Sequence, residues 1–413
     1  VNRDQRRMLR VTSLGHLICH FNMLVFPALV LPLSHGMGLK LAQVLELSFW
    51  MYLLFGLTAL PWGYLADRFG GKPLLSLFFL GSSLSALGAC FFVWQPMMLS
   101  LFLAGLGLFA GIYHPAALGL ISTRAERVSM AMGINGMWGN LGLALAPLAA
   151  GLVNWLWGVK AAFALIALVN FFGLVVLLFL PFSFADKPEE AMSEENGKGI
   201  PWPFVIMLLA MTLSGMAYRG TTLMMPAFFE LKGQAWLMEF SLFKGLSGNL
   251  LATLLSSFIY LAGMAAQIAG GMVGERFESK KAYFTFHAIA APCALLSGLV
   301  WGSLSGLMVM LYVFFLLGMQ PIENTLIGRY TPARLRHAAF GLKFVLVFGV
   351  GSLAVSLMGY VEGAYGVEAA FPVLGLISMM VVLIVFSLLR KKKPDTACAA
   401  DKIQKAEKPE LQV

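Results

Sequence analysis

Acidic residues are scarce in this chain: 20 Asp and Glu stand against 29 Lys and Arg among 413 residues, and charged residues of both signs make up only 12%. A soluble domain carries about 25% charged residues, so a water-exposed globular surface is excluded. Cysteine is also rare, with Cys19, Cys90, Cys293 and Cys398 falling in apolar runs or the tail and no CxxC spacing, which leaves no disulfide framework and no metal site. No GxxxxGK[ST] is present, so direct ATP drive is not expected. Without TVGYG, a potassium-type channel is unsupported. No cluster of His, Cys and carboxylates suggests a metal centre, no cofactor is implied, and no nucleophile and base are visibly placed together, so an enzyme is not expected.

What is present is hydrocarbon: 59% of residues are hydrophobic. Twelve apolar stretches reach the roughly 20 residues that a helix needs to cross a ~30 Å core. They cover 11 to 34, 44 to 66, 73 to 93, 97 to 121, 129 to 153, 160 to 182, 202 to 228, 247 to 273, 283 to 301, 306 to 328, 338 to 362 and 368 to 390. The opening VNRDQRRMLR runs into a first stretch too long for a signal h-region, so that helix is expected to stay.

With twelve crossings both termini lie on one face. That face collects most of the basic residues: the RDQRR start, Arg68 and Lys72, Arg124 and Arg127, Lys187 and Lys198, Arg276 with Lys280 and Lys281, Arg329 with Arg334 and Arg336, and the tail from Arg390. The other face has Lys40, Lys160, Lys232 and Lys244. By the positive-inside rule the termini are expected in the cytoplasm. The net charge of +9 is thus a topology signal, and no nucleic-acid partner is needed to account for it.

One long polar linker, SFADKPEEAMSEENGKGI at 183–200, divides the stretches six and six. Residues 1–182 and 201–390 are therefore expected to form two bundles, with 391–413 a charged, disordered cytoplasmic tail whose basic start anchors to lipid headgroups. The halves repeat. GYLADRFGGK (63–72) aligns with GMVGERFESK (271–280), placing Gly63, Asp67, Arg68 and Lys72 on Gly271, Glu275, Arg276 and Lys280; the same offset sets Gly133 on Gly341 and Asn135 on Lys343. HFNMLVFPA (20–28) aligns with RGTTLMMPA (219–227), which makes His20 and Arg219 equivalent. If the halves are related by an axis along the membrane normal, those two side chains approach one central space from opposite sides.

Twelve spans in two six-helix halves with the GYLADRFGGK loop resemble the major facilitator superfamily over nearly all of the chain to about residue 390. The resemblance implies an all-α membrane protein of two pseudo-symmetric six-helix bundles, a monomer, working by alternating access in a bacterial inner membrane. In that loop Gly63 is expected to permit close packing and Asp67 to cap a neighbouring helix, with Arg68 and Lys72 supplying charge; in the family the loop helps close the cytoplasmic gate. A narrower resemblance, to fosmidomycin-resistance efflux proteins, is carried by His16, Pro27, Ala28 and Pro32, by GIYHPA (111–116) and by MGINGMWGNLGLALAP (132–147). Those relatives have an acid where this chain has His20, and another where it has Ala116. It implies proton-coupled efflux.

Charges inside a span cost about 2.5 to 3.5 kcal/mol each at mid-helix and mark function by default. Three stand out: Arg219, Glu323 and Lys343. At 1.5 Å per residue Glu323 and Lys343 share a depth, and they read either as a structural ion pair or as a proton-sensitive gate. Arg219 has no acid at its depth and suits an anionic group through paired hydrogen bonds; otherwise it bonds carbonyls or reaches Glu323. His20 and His16, one turn apart, read as substrate donors or as packing residues. His114, before Pro115, reads as gate-lining or structural. Asn140 and Asn135 serve substrate and gate respectively, or hold helices together. Gly133, Gly136, Gly139 and Gly142 read as packing surfaces. Met224, Met225 and Phe228 would add an apolar wall to a cavity.

Together these features indicate a secondary transporter of a small amphipathic, anionic compound, driven outward by protons. Proton-coupled uptake of an organic anion such as a carboxylate is the alternative, and a non-transporting membrane sensor is the rival from another class.

Overall fold

The computed structural model describes residues 3–126, 128–180, 202–233, 245–330 and 341–390. The linker at 183–200, the tail from 391 and the basic residues Arg127, Arg334 and Arg336 lie outside the described residues.

The helices in chain order are α1 (Arg3–Ala28), α2 (Val30–Met37), α3 (Leu41–Glu46), α4 (Phe49–Leu57), α5 (Ala59–Phe69), α6 (Gly71–Phe91), α7 (Pro96–Ala110), α8 (Tyr113–Arg124), α9 (Val128–Trp157) and α10 (Val159–Phe179). After the linker come α11 (Trp202–Phe228), α12 (Gly248–Arg276), α13 (Ser279–Ser297), α14 (Ser303–Gly318), α15 (Gln320–Tyr330), α16 (Leu353–Tyr365) and α17 (Ala370–Arg390). No strand occurs among the described residues.

Ten helices are long and apolar enough to cross a membrane, and eleven if the bent pair of α2 with Leu41–Leu57 counts as one span. The expected span at 283 to 301 is not among them. It is α13, 19 residues long, with Lys280 and Lys281 in its first turn, Pro292 inside it and His287 on its buried face. A helix of that length still spans about 28 Å, and it packs between α14 and α17, so His287 is shielded by protein. With it the fold comprises two six-helix bundles of like design: α6 packs on α10 as α13 packs on α17, and α6 on α7 as α13 on α14.

The spans are broken where the sequence supplies a reason. Pro27 removes a backbone donor near the end of α1, and the helix stops at Ala28 with Leu29 at φ −111° and ψ 3°. In the aligned segment of the second half, Pro226 is followed by a π-helical turn at Phe229–Gly233. The fourth span breaks at Gly111 and Ile112, and Pro115 falls in the first turn of α8, where a missing N–H breaks no helical bond.

The halves meet along α9 and α12, along α1 and α11, and along the second and eleventh spans. Backbones touch at glycine: a Cβ on Gly56 would strike the main chain of Gly349 across this interface, and within the second half one on Gly215 would strike the main chain of Val347. On the face opposite the chain start, hydrogen bonds join the halves. Asn249 donates to the Ala28 carbonyl at 2.8 Å, Asn154 donates to Asn249 at 3.1 Å, and Ser356 donates to Glu46 at 3.1 Å.

Candidate functional site

Three polar groups lie in the protein interior. The first centres on Arg219, which is only 2% exposed. Its guanidinium carbon lies 3.7 Å from the centroid of the Tyr52 ring, a cation–π contact worth about 2 kcal/mol when desolvated. Nε of Arg219 is buried without a hydrogen-bond partner, and among the described residues no carboxylate pairs with this arginine. Tyr52 is held in turn by a 2.9 Å hydrogen bond to the Met23 carbonyl. Tyr218 and Tyr260 lie within electrostatic range of Arg219, and the Tyr260 hydroxyl is buried without a partner. His20 is also within that range. The expectation that Arg219 reaches Glu323 is not met, because Glu323 is engaged elsewhere.

The second group joins three histidines. Nδ1 of His16 donates to the Asn135 carbonyl at 2.8 Å, and Nε2 of His16 lies 3.1 Å from Nε2 of His20. His114 meets His16 edge-on at 5.3 Å between ring centroids and stacks on Phe344 from the other half at 5.0 Å. Neither of its ring nitrogens has a hydrogen-bond partner, although both are buried. The ligand atoms of His16, His20 and His114 all lie within 4.8 Å of one another. This corrects the expectation that no metal-ligating cluster exists: spacing along the chain conceals it, because α1 and α8 bring residues together that are some hundred positions apart.

The glycines of α9 explain how α1 comes so close. A Cβ on Gly139 would meet the His16 ring, and one on Gly142 would strike the Leu17 carbonyl. Gly133 and Gly136 have open space instead, so only half of that expected packing stripe is used. Asn135 donates to the Tyr113 hydroxyl at 2.8 Å, and that hydroxyl donates to the Thr12 carbonyl at 2.7 Å.

The third group is the ion pair. Nζ of Lys343 lies 2.8 Å from Oε1 of Glu323, with the lysine also bonded to Asn324 and the Tyr283 hydroxyl donating to Oε2 of Glu323 at 2.9 Å. Glu323 is 3% exposed. The unpartnered ring of His287 packs on Tyr283 with centroids 4.7 Å apart. A separate polar chain crosses the interface: Asn140 donates to Gln267 at 2.6 Å, and Gln267 donates to Gln320 at 2.8 Å. Asn140 thus acts as a bridge between helices, distinct from the Arg219 group.

The repeat loops are exposed. Asp67 caps no helix among the described residues, and Gly70 begins α6 without a side-chain cap. Arg68 lies against Phe69, 5.4 Å from its centroid. Glu275 and Arg276 are exposed, Lys280 lies 5.6 Å from the Tyr330 ring, and Gly271 faces open space while Gly63 touches Pro115. The cap expected of Asp67 is therefore not made, whereas Gly63 does pack closely, against Pro115. Met224 and Met225 are fully buried, and Phe228 packs edge-on against Phe371, so they belong to the packed core.

Residues 12–354 match the Major Facilitator Superfamily. The chain belongs to that family. It is 30% identical over 226 residues to a probable chloroplastic anion transporter of Arabidopsis thaliana, covering 49% of this chain and 42% of that protein. It is 35% identical over 145 residues to the multidrug resistance protein MdtG of Klebsiella pneumoniae (strain 342), covering 32% of this chain and 34% of that one. The chain thus spans less than half the length of either relative. A bacterial homologue of the human lysosomal transporter Spinster, in an inward-facing unoccupied conformation, superposes with a TM-score of 0.77 over 95% of this chain and 100% of that one, at 15% identity. The nucleoside transporter NupG superposes with a TM-score of 0.72 over 94% and 100%, at 12% identity. These likenesses show the fold, and the family match shows membership of the superfamily.

Sequence reasoning missed Tyr52, Tyr260, Gln267 and Gln320. Buried tyrosines in an aromatic-rich chain carry no periodic signal that separates them from core filler. Gln267, on an otherwise apolar stretch of α12, was visible as a polar outlier.

Proposed function

We propose that the protein carries a small organic anion across the membrane by alternating access, with Arg219 as the anion-binding group. The observation that carries this reading is a buried guanidinium that has no carboxylate partner and an unmet Nε donor. A buried unpaired charge is costly, and an anion arriving between the bundles would relieve it by charge-assisted hydrogen bonds. Tyr52 orients the guanidinium, and the hydroxyl of Tyr260 supplies a further donor. The anion-transporter relative favours this substrate class.

Coupling to protons is assigned to Glu323. A proton delivered there would release Lys343 and loosen the tenth span from the eleventh. Efflux is the direction favoured by the resemblance to fosmidomycin-resistance proteins and by the MdtG relatives; uptake of a carboxylate uses the same residues. The face carrying the termini is read as cytoplasmic, in a bacterial inner membrane, with the protein a monomer. The two bundles are assigned to 1–182 and 201–390.

The test is ligand-induced thermal stabilisation of the purified protein by organic anions, cations and neutral amphiphiles. Stabilisation by anions that disappears in Arg219→Ala supports the assignment. Equal stabilisation of both proteins by cations or neutral compounds would overturn it.

A further inference from the structure

The histidine cluster contains one side chain that packing and hydrogen bonding leave unexplained. His16 and His20 satisfy each other and the Asn135 carbonyl, but His114 is buried with both ring nitrogens unmet. A buried polar group left without a partner costs about 1–3 kcal/mol. Its ring is walled by Phe55, Phe344 and Phe348, so the side toward His16 and His20 is the polar one.

We propose that His16, His20 and His114 bind a divalent transition-metal ion of the zinc class. The donor set decides the class: three imidazoles suit zinc, copper or nickel, whereas magnesium and calcium take oxygen ligands. The tautomer of His16 is fixed by its hydrogen bond. Because Nδ1–H donates to the Asn135 carbonyl, Nε2 keeps its lone pair and points at the cluster. A ligating histidine whose other nitrogen donates to a backbone carbonyl is the usual outer-shell arrangement of such sites.

Distances agree. Tetrahedral ligand atoms about 2.0–2.1 Å from zinc stand roughly 3.3 Å apart, and Nε2 of His16 and Nε2 of His20 are 3.1 Å apart. Without metal, the His20 Nε2–H donates to His16. On metal binding that proton leaves Nε2 for Nδ1 of His20, and both Nε2 lone pairs face the ion. His114, whose ligand atom already lies within 4.8 Å of the other two, completes the set by a small ring movement. Gly139 makes the site possible, since a Cβ there would come within 2.6 Å of His16 Nε2. Three protein ligands leave a fourth position for water or a small anion. His16 and His20 are partly exposed, which gives the ion a route. The site stands independently of the anion reading.

The experiment uses the full chain purified without a histidine tag and titrated with Co²⁺, whose visible absorption reports nitrogen coordination, followed by Zn²⁺ and Mg²⁺. One Co²⁺ per chain is expected, displaced by Zn²⁺ and unaffected by Mg²⁺. His114→Gln and His20→Asn should each weaken binding by more than the roughly 10–100-fold typical of losing an outer-shell partner. His35→Gln and His287→Gln should leave it unchanged. Absence of saturable Co²⁺ absorption in the wild type overturns the proposal, whatever the variants do. So does equal binding by a His114→Gln or His20→Asn protein that melts and elutes like wild type.

Discussion

The Tyr52 hydroxyl donates at 2.9 Å to the Met23 carbonyl, the acceptor that Pro27 leaves without its helical partner. A proline at position i removes the bond to the carbonyl at i−4, so the second span is pinned to the kink of the first. The ring held there is the one beneath Arg219.

Removing the hydroxyl and removing the ring should have different effects. Tyr52→Phe loses one buried hydrogen bond and should destabilise by about 1 kcal/mol, keeping the aromatic face under the guanidinium. Tyr52→Ala also opens a cavity and should cost about 3–5 kcal/mol, as for other large aromatic truncations. Denaturation in detergent orders the two variants, and the reverse order would refute the role given to the ring.

Arg219→Ala should keep the fold and lower anion affinity by about 10- to 100-fold, the loss of a charge-assisted interaction worth about 1.5–3 kcal/mol. Arg219→Lys retains the charge and loses the fork geometry, so its affinity should fall between the two. Calorimetry with one organic anion measures all three.

Breaking the Glu323 and Lys343 pair from one side leaves a buried charge and should cost about 3–5 kcal/mol. Glu323→Leu combined with Lys343→Met should recover most of that stability while abolishing proton-driven flux. A double-mutant cycle read by thermal melts, with flux in proteoliposomes, separates the two roles. Full flux in the double variant would remove Glu323 from coupling.

Asn249→Leu deletes the donor to the Ala28 carbonyl and the bond to Glu230. The population should shift toward a state open on the face opposite the termini, by about 1 kcal/mol per neutral bond lost. Distances between probes at Lys40 and Gly363 should broaden to longer values. An unchanged distribution would mean that these bonds are incidental to closure.

The repeat made much of the fold legible. The paired PA motifs matched a helix that stops after Pro27 and one that turns π-helical after Pro226. They also set His20 against Arg219, and the two lie within electrostatic range. Glu323 met Lys343 because equal depth on neighbouring spans is a one-dimensional argument. The meeting of His114 with His16 and His20 needed the rotation of α8 about its axis, which no spacing along the chain encodes. A cap by Asp67 is expected because the letters of its loop permit one. Asp67 stays exposed because capping depends on which elements pack beside it.

Where Gly56 meets Gly349, the main chain of the first bundle lies against that of the second. Helices normally interlock through side-chain ridges that must leave one set of grooves for another when they turn. At this crossing there is little to disengage, so one bundle can swivel on the other without rotamer changes. The friction of the motion then resides at its rims, and the speed of the cycle should respond to substitutions there more than to any made at the axle.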